Sequence, residues 1–164
     1  MGTLHVICGA AGVGKSTYGN KLAAELRACF LDSDTVSEPV VQAGMKSAGM
    51  DSDDRDSPEY QLAFRDAVYE CLYAVAAENL PAISVVMVGP FTREIHQEGW
   101  LRSLEERFDV EVVCYFVTCD EETRRERIEK RANPRDAWKL AHWEDYLAKA
   151  DLSPPVFHYQ AVRT

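Results

Sequence analysis

Gly9-Ala10-Ala11-Gly12-Val13-Gly14-Lys15-Ser16 fits the pattern G-x-x-x-x-G-K-[ST] at every fixed position. Ahead of it stands Leu4–Cys8, short, apolar and strand-prone. Behind it, Lys15–Ala28 reads as a helix, with Tyr18, Leu22 and Leu26 at four-residue spacing and Ala23 beside them. Strand, glycine-rich loop and helix is the setting that the pattern requires. Glycines let a backbone wrap around an anion and turn successive N–H groups inward, and the start of a helix adds positive potential at the same place. The stretch therefore predicts a nucleoside triphosphate site with a Mg²⁺ ligand, without yet separating a kinase from a GTPase or a motor. Gly9, Ala11, Gly12, Val13 and Gly14 supply the cradle. Lys15 supplies a cation for the β- and γ-phosphates, Ser16 a hydroxyl ligand for Mg²⁺, and Thr17 a hydroxyl or N–H for the α-phosphate.

Outward from this loop, strand-like and helix-like runs alternate. Cys29–Leu31 reads as a short strand, Thr35–Ala48 as a helix, and Tyr60–Leu80 as a long helix with Leu62, Val68, Leu72 and Val75 among its apolar positions. Ser57 is a fitting N-cap for that helix and Pro58 fits its first turn. Ile83–Val88 is nearly continuous in apolar residues, as a strand covered on both faces should be. A weak helix at Glu98–Arg107, a strand at Val110–Val117, helices at Glu121–Arg131 and Arg135–Ala150, and a last strand at Val156–Val162 complete the pattern. The order predicts an α/β fold: an open parallel sheet with helices on both faces.

The chain has 164 residues, 46% hydrophobic and 27% charged, which describes one domain spanning 1–164. Its net charge of −9 disfavours a nucleic-acid partner or an anionic membrane surface. No apolar run approaches the ~20 residues that span a bilayer, and Met1–His5 has no cationic region followed by an apolar stretch, so a cytoplasmic location is expected. Cys8, Cys29, Cys71, Cys114 and Cys119 form no C-x-x-C pair and read as free thiols in a reducing compartment. His5, His96, His142 and His158 show no ligand spacing. The acidic stretch Asp51–Asp56 has Asp56 and Leu62 where a calcium loop needs Gly and Glu, and reads as a solvated loop.

Other residues separate the classes of phosphate-loop protein. A guanine-reading N-K-x-D is absent, since Asn20-Lys21-Leu22-Ala23 lacks the Asp. The central strand ends Val88-Gly89-Pro90, with no acidic pair of the kind a motor ATPase carries. The parts of a small kinase all have candidates. A phosphoryl acceptor is oriented by a carboxylate, and Asp32 and Asp34 end the second strand, on the side of a parallel sheet where ligands sit. Asp34 is the candidate to orient the acceptor hydroxyl or take its proton, or to bind Mg²⁺ through water, with helix capping as its structural alternative. A mobile arginine-bearing lid neutralises the transferring group, and residues from about 120 to 146 supply one. Arg124, Arg127 and Arg131 fall at i, i+3 and i+7 on one helical face, and Arg127 and Arg131 are like charges four apart, a spacing that an anion between them would relieve. Arg125 and Lys130 lie off that face and fit ion pairs with Glu121 and Glu126. Residues 118–149 hold eight Lys/Arg and eight Asp/Glu, a neutral segment in an acidic chain. Leu140, Trp143 and Leu147 read as packing positions. Arg93, after the central strand, is a candidate acceptor contact.

With these residues in view, the chain resembles the predicted-kinase, AAA_33-like branch of small phosphate-loop kinases, which includes chloramphenicol phosphotransferase, gluconate kinase, zeta-toxin-like kinases and the kinase domain of polynucleotide kinase. The matching segments are Gly9–Thr17, Leu31-Asp32-Ser33-Asp34, Gly89–Arg93, and Cys119–Arg131 with its R-x-x-x-R of Arg127 and Arg131. The resemblance implies five parallel strands ordered 2-3-1-4-5 and a helical lid. It also implies transfer of the γ-phosphate of Mg-ATP to an acceptor hydroxyl, with Asp34 as the base-like residue and Arg127 and Arg131 in the lid. A small-molecule acceptor is the expected partner. The alternatives are a nucleotide-dependent switch or accessory ATPase working through a protein partner, and a 5′-hydroxyl nucleic-acid kinase. Residues 35–60 carry no acceptor signature.

Overall fold

The computed structural model describes residues 1–55 and 57–164, so Asp56 of the acidic stretch lies outside the described residues. A five-stranded parallel sheet has the order β2-β3-β1-β4-β5, formed by β1 (Leu4–Cys8), β2 (Cys29–Asp32), β3 (Val85–Val88), β4 (Val112–Thr118) and β5 (Gln160–Arg163). This is the expected order. The register pairs Ile7 and Asp32 with Val88, and Cys8 with Phe116, so β1, β2 and β3 end level with one another. The loop after β1 thus opens where the strand order reverses, the crevice in which such sheets take ligands.

The sheet is apolar through both faces because helices cover both. All four residues of β3 are buried. Along the strands, alternate side chains serve opposite cores. Leu4, Val6, Cys8, Val85 and Met87 pack with Tyr69, Leu72, Tyr73 and Ala76 of α4 (Asp66–Asn79) and Leu104 of α5 (Trp100–Phe108). Ile7, Val86, Val88, Tyr115 and Val117 pack with Ala23 of α1 (Lys15–Leu26). Cys8 and Cys114 are buried free thiols. No helix among the described residues is long and apolar enough to cross a membrane.

Several elements depart from the sequence pattern. α1 turns only Gly19 and Ala23 fully inward, and Leu26 is exposed, because Val88 and Phe30 press so close to Gly19 that a larger residue has no room there. The helix expected at Thr35–Ala48 is α2 (Ser33–Ser47) and starts earlier, since Asp32 caps it by accepting from the Asp34 amide at 3.0 Å. Ser57 does cap α3 (Pro58–Tyr60), but the chain then runs through a π-helical turn, Gln61–Arg65, before α4. That extra residue per turn rotates Leu62 out to 91% exposure while Arg65 is buried in an ion pair with Glu94. The helix expected at Arg135–Ala150 is divided into a 3₁₀ turn (Pro134–Asp136), α7 (Ala137–Ala141) and α8 (Trp143–Lys149). The break falls at His142, and it lets Trp143 donate from Nε1 to Glu121 Oε1 at 3.1 Å on α6 (Glu121–Arg131). The last strand covers only Gln160–Arg163, because the Val156 amide donates to the Ile95 carbonyl at 3.0 Å and the chain meets β4 only from Gln160.

Candidate active site

The loop between β1 and α1 has the backbone that phosphate binding requires. Gly12 stands at φ 81°, and a Cβ there would lie 2.9 Å from the Arg124 carbonyl oxygen. Gly14 caps α1 at φ 91°, beneath Arg127 and Thr164. No other residue type fits both positions without strain. Lys15 folds back over the loop and donates from Nζ to the Ala10 carbonyl at 2.6 Å. Loss of water there pulls its ammonium down to about 8, an effect that Asp34 and Asp32 oppose and Arg131 reinforces. One cation is thus held in electrostatic reach of both strand-end carboxylates and of Arg131.

Asp32 and Asp34 have different surroundings. Asp32 is buried, accepts from the Ser16 hydroxyl at 2.5 Å on Oδ2, and caps α2 with Oδ1. Asp34 sits in the first turn of α2 with its side chain 65% exposed, and takes Arg135 Nη2 on Oδ2 at 3.2 Å. The structure therefore turns Asp32 toward the Ser16 hydroxyl and leaves Asp34 exposed beside Arg135. The Ser16 hydroxyl and the Asp32 carboxylate are hard oxygen donors beside the loop. That is the donor set Mg²⁺ uses when phosphates and water supply its other ligands. Among the described residues no group of three or more His, Cys, Asp or Glu side chains is placed to hold a metal ion unaided.

Of the three arginines expected on one face of α6, Arg127 and Arg131 lie toward the loop and Arg124 turns away from it. Arg127 Nη1 donates to the Val13 carbonyl at 3.3 Å and to Thr164 Oγ1 at 2.7 Å. The Thr164 hydroxyl in turn donates to the Val13 carbonyl at 2.8 Å. Arg131 is held bidentate by the buried Asp136, at 2.5 and 2.7 Å. Arg124 instead lies buried between Trp143 and Tyr146, 5.3 and 5.7 Å from their ring centroids, and its Nε and Nη2 find no hydrogen-bond partner among the described residues. Its charge faces aromatic rings, so it is part of the packing between α6 and α8. Arg125 pairs with Glu129, not Glu121, whose carboxylate is taken by Trp143.

Arg93 is placed by a tight turn after β3. Phe91 adopts φ 47°, is fully buried, and donates its amide to the Tyr69 hydroxyl at 3.2 Å. The Arg65–Glu94 pair fixes the far side of the turn. Arg93 emerges exposed, with Gln61 Oε1 at 3.5 Å from its Nη2. Glu38, Arg55, Asp136 and Thr164 also line the site, and no motif in the sequence marks them. Arg55 and Arg135 both donate to Glu38, which ties α2, the segment after it and the lid turn together. The available signal was Asp34 and Glu38 at i, i+4 on α2, a like-charge pair that calls for cations from elsewhere.

Comparison with known proteins agrees with this fold. Residues 4–153 match the AAA_33 family, described as an AAA domain. No curated protein matches the sequence. Among solved structures, the chain is similar to a gluconokinase from Sinorhizobium meliloti 1021, with 19% identity and a TM-score of 0.55 over 99% of this chain and 81% of that one. It is similar to the Mycobacterium tuberculosis APS kinase CysC in complex with AMPPNP and APS, with 15% identity and a TM-score of 0.58 over 99% and 88%. It is also similar to Chaetomium thermophilum Kti12 in complex with ADP-AlF3, with 19% identity and a TM-score of 0.59 over 98% and 88%. With a family match across most of its length and these shared folds, the chain belongs to the AAA_33 family and carries the fold of the small P-loop kinases.

Proposed function

We propose that the protein is an ATP-dependent phosphotransferase that moves the γ-phosphate of Mg-ATP to a hydroxyl of a small-molecule acceptor. The observation that carries this reading is the division of labour at the end of β2: Asp32 turned to Ser16, Asp34 left open beyond it, and Lys15 sensing both. A switch needs the first carboxylate but has no use for the second. In this reading the loop amides and Lys15 hold the β- and γ-phosphates, and Ser16 with Asp32 holds the Mg²⁺ that accompanies ATP, whose charge offsets that of the phosphates. Asp34 accepts the hydrogen bond of the acceptor hydroxyl and takes its proton as the phosphoryl group is transferred. Arg127 and Arg131 supply positive charge where negative charge collects on that group. Arg93, free of carboxylate partners among the described residues, contacts the acceptor.

The kinases among the neighbours support the reading, and their acceptors differ, so the test is a panel. ADP release from Mg-ATP is measured without acceptor, then with nucleosides, sugars, sugar acids, antibiotics and short 5′-hydroxyl oligonucleotides. Stimulation by one class of small alcohol is expected. A flat panel, with tight ATP binding and a partner affinity that follows ATP against ADP, would establish the switch instead.

A further inference from the structure

Asp34 and Glu38 share one face of α2, and two arginines from outside the helix converge on it. Arg55 donates from Nη2 to Glu38 Oε1 at 3.0 Å. Arg135, from the Pro134–Asp136 turn of the lid, spans the two carboxylates, with Nη1 on Glu38 Oε2 at 3.1 Å and Nη2 on Asp34 Oδ2 at 3.2 Å. Gln42 Nε2 also reaches Glu38 Oε1, at 2.7 Å, so both oxygens of Glu38 are committed. Tyr60 lies under the same group, with the Arg55 guanidinium 5.1 Å from its ring centroid.

The base of Arg135 is as firmly set as its tip. Asn133 Oδ1 accepts its amide at 3.1 Å, and Pro134 fixes the preceding backbone angle. The next residue, Asp136, is buried and grips Arg131 and Lys139. A guanidinium joined to two carboxylates by separate nitrogens has one orientation, whereas a lysine would swing. Stability does not account for the Asp34 contact, because an ion pair with one partner 65% exposed contributes little to folding. What the contact does fix is the direction of Asp34. The same three-residue turn holds Arg131 by Asp136 and Asp34 by Arg135, so a candidate phosphate cation and the candidate acceptor carboxylate share one support.

We infer that Arg135, clamped by Glu38 and Arg55, is a positioning residue for phosphotransfer: it aims the Asp34 carboxylate at the acceptor hydroxyl and makes that aim depend on the lid turn being seated on α2. This rests on the reading of the chain as a kinase that uses Asp34. It gives the segment after α2, whose sequence carries no acceptor signature, a role through Arg55.

The test is a double-mutant cycle in the rate of phosphoryl transfer from Mg-ATP, with the most stimulating acceptor of the panel, or water where none stimulates. The variants are Arg135→Gln, Asp34→Asn and the pair, with Arg135→Lys as the conservative change. Arg135→Gln is expected to lower kcat by about tenfold or more, the loss of one charge-assisted contact, with ADP Kd within about twofold of the parent. Arg135→Lys recovers part of the rate. In the Asp34→Asn background, Arg135→Gln has no further effect, because Arg135 acts through Asp34. Equal loss in both backgrounds, or no loss in either, overturns the inference and leaves the kinase reading intact. Wild-type transfer by Asp34→Asn alone overturns the kinase reading of Asp34 and the inference with it. Glu38→Gln keeps the Arg135 charge but loosens its clamp. It covers the case in which Arg135→Gln does not fold, and a threefold or greater fall in kcat is expected of it; an unchanged kcat there contradicts the clamp.

Discussion

Lys15 shows how one residue carries both a sequence signal and a consequence that only the structure exposes. The G-K-S pattern marked it as a phosphate cation. The fold adds that its ammonium is desolvated, lowered from 10.5 to about 8, despite the nearby Asp34 and Asp32. Between those two values the unfolded chain binds more protons than the folded one, so the ligand-free protein gains stability from this group as pH rises from about 8 to 10.5. Phosphates restore the charge, so nucleotide binding takes up a proton above about pH 8. ADP affinity should therefore hold steady below about pH 8 and weaken above it, by up to about tenfold per unit. Calorimetric titrations across this range check it, with Lys15→Arg, which stays charged, giving a flat profile. A flat wild-type profile contradicts the desolvated ammonium. Asp32 and Asp34 were legible as a pair from their place after a strand, but not their different surroundings. That depends on Asp32 both capping α2 and facing Ser16, a contact between residues sixteen apart in the chain.

At the scale of elements, periodicity located the helices and misread those whose ends are set by long-range contacts. Arg135–Ala150 has helical spacing throughout, yet the chain breaks at His142 because Trp143 is drawn onto α6 by Glu121, Arg124 and Arg125. The turn inserted at Gln61–Arg65 is likewise dictated by the buried Arg65–Glu94 pair, 29 residues apart. Local spacing carries no trace of either partner. α8 is attached to α6 mainly through the buried Trp143. Trp143→Ala, which removes about 3–5 kcal/mol of packing in a core setting, should release α8 and raise tryptic cleavage between residues 132 and 150 at least tenfold, with the sheet still melting cooperatively. Unchanged cleavage would show that other contacts hold the lid.

For the molecule as a whole, the parallel sheet was the most legible feature. A strand with all residues apolar, such as β3, can be covered only by helices on both sides. The strand order itself came from the family resemblance, since spacing along the chain does not say which strands are neighbours. The core between the sheet and α4 includes Leu72, which has no exposed surface. Leu72→Ala should cost about 2–5 kcal/mol and lower Tm by roughly 5–15 °C in a chain of this size, while the folded fraction binds ADP with unchanged Kd. A shift of less than about 2 °C would mean that α4 packs more loosely than described.

The measurement that bears most directly on the account follows the γ-phosphate itself. Enzyme is given γ-labelled Mg-ATP with the acceptor panel, and the label is traced in wild type and in Asp34→Asn. The account predicts an acid-stable phosphate ester on one class of small alcohol, formed by wild type and slowed at least a hundredfold by Asp34→Asn, with ADP binding retained. Label appearing only as inorganic phosphate with every acceptor, at a rate that Asp34→Asn leaves unchanged, would contradict it and leave a nucleotide-driven switch in its place.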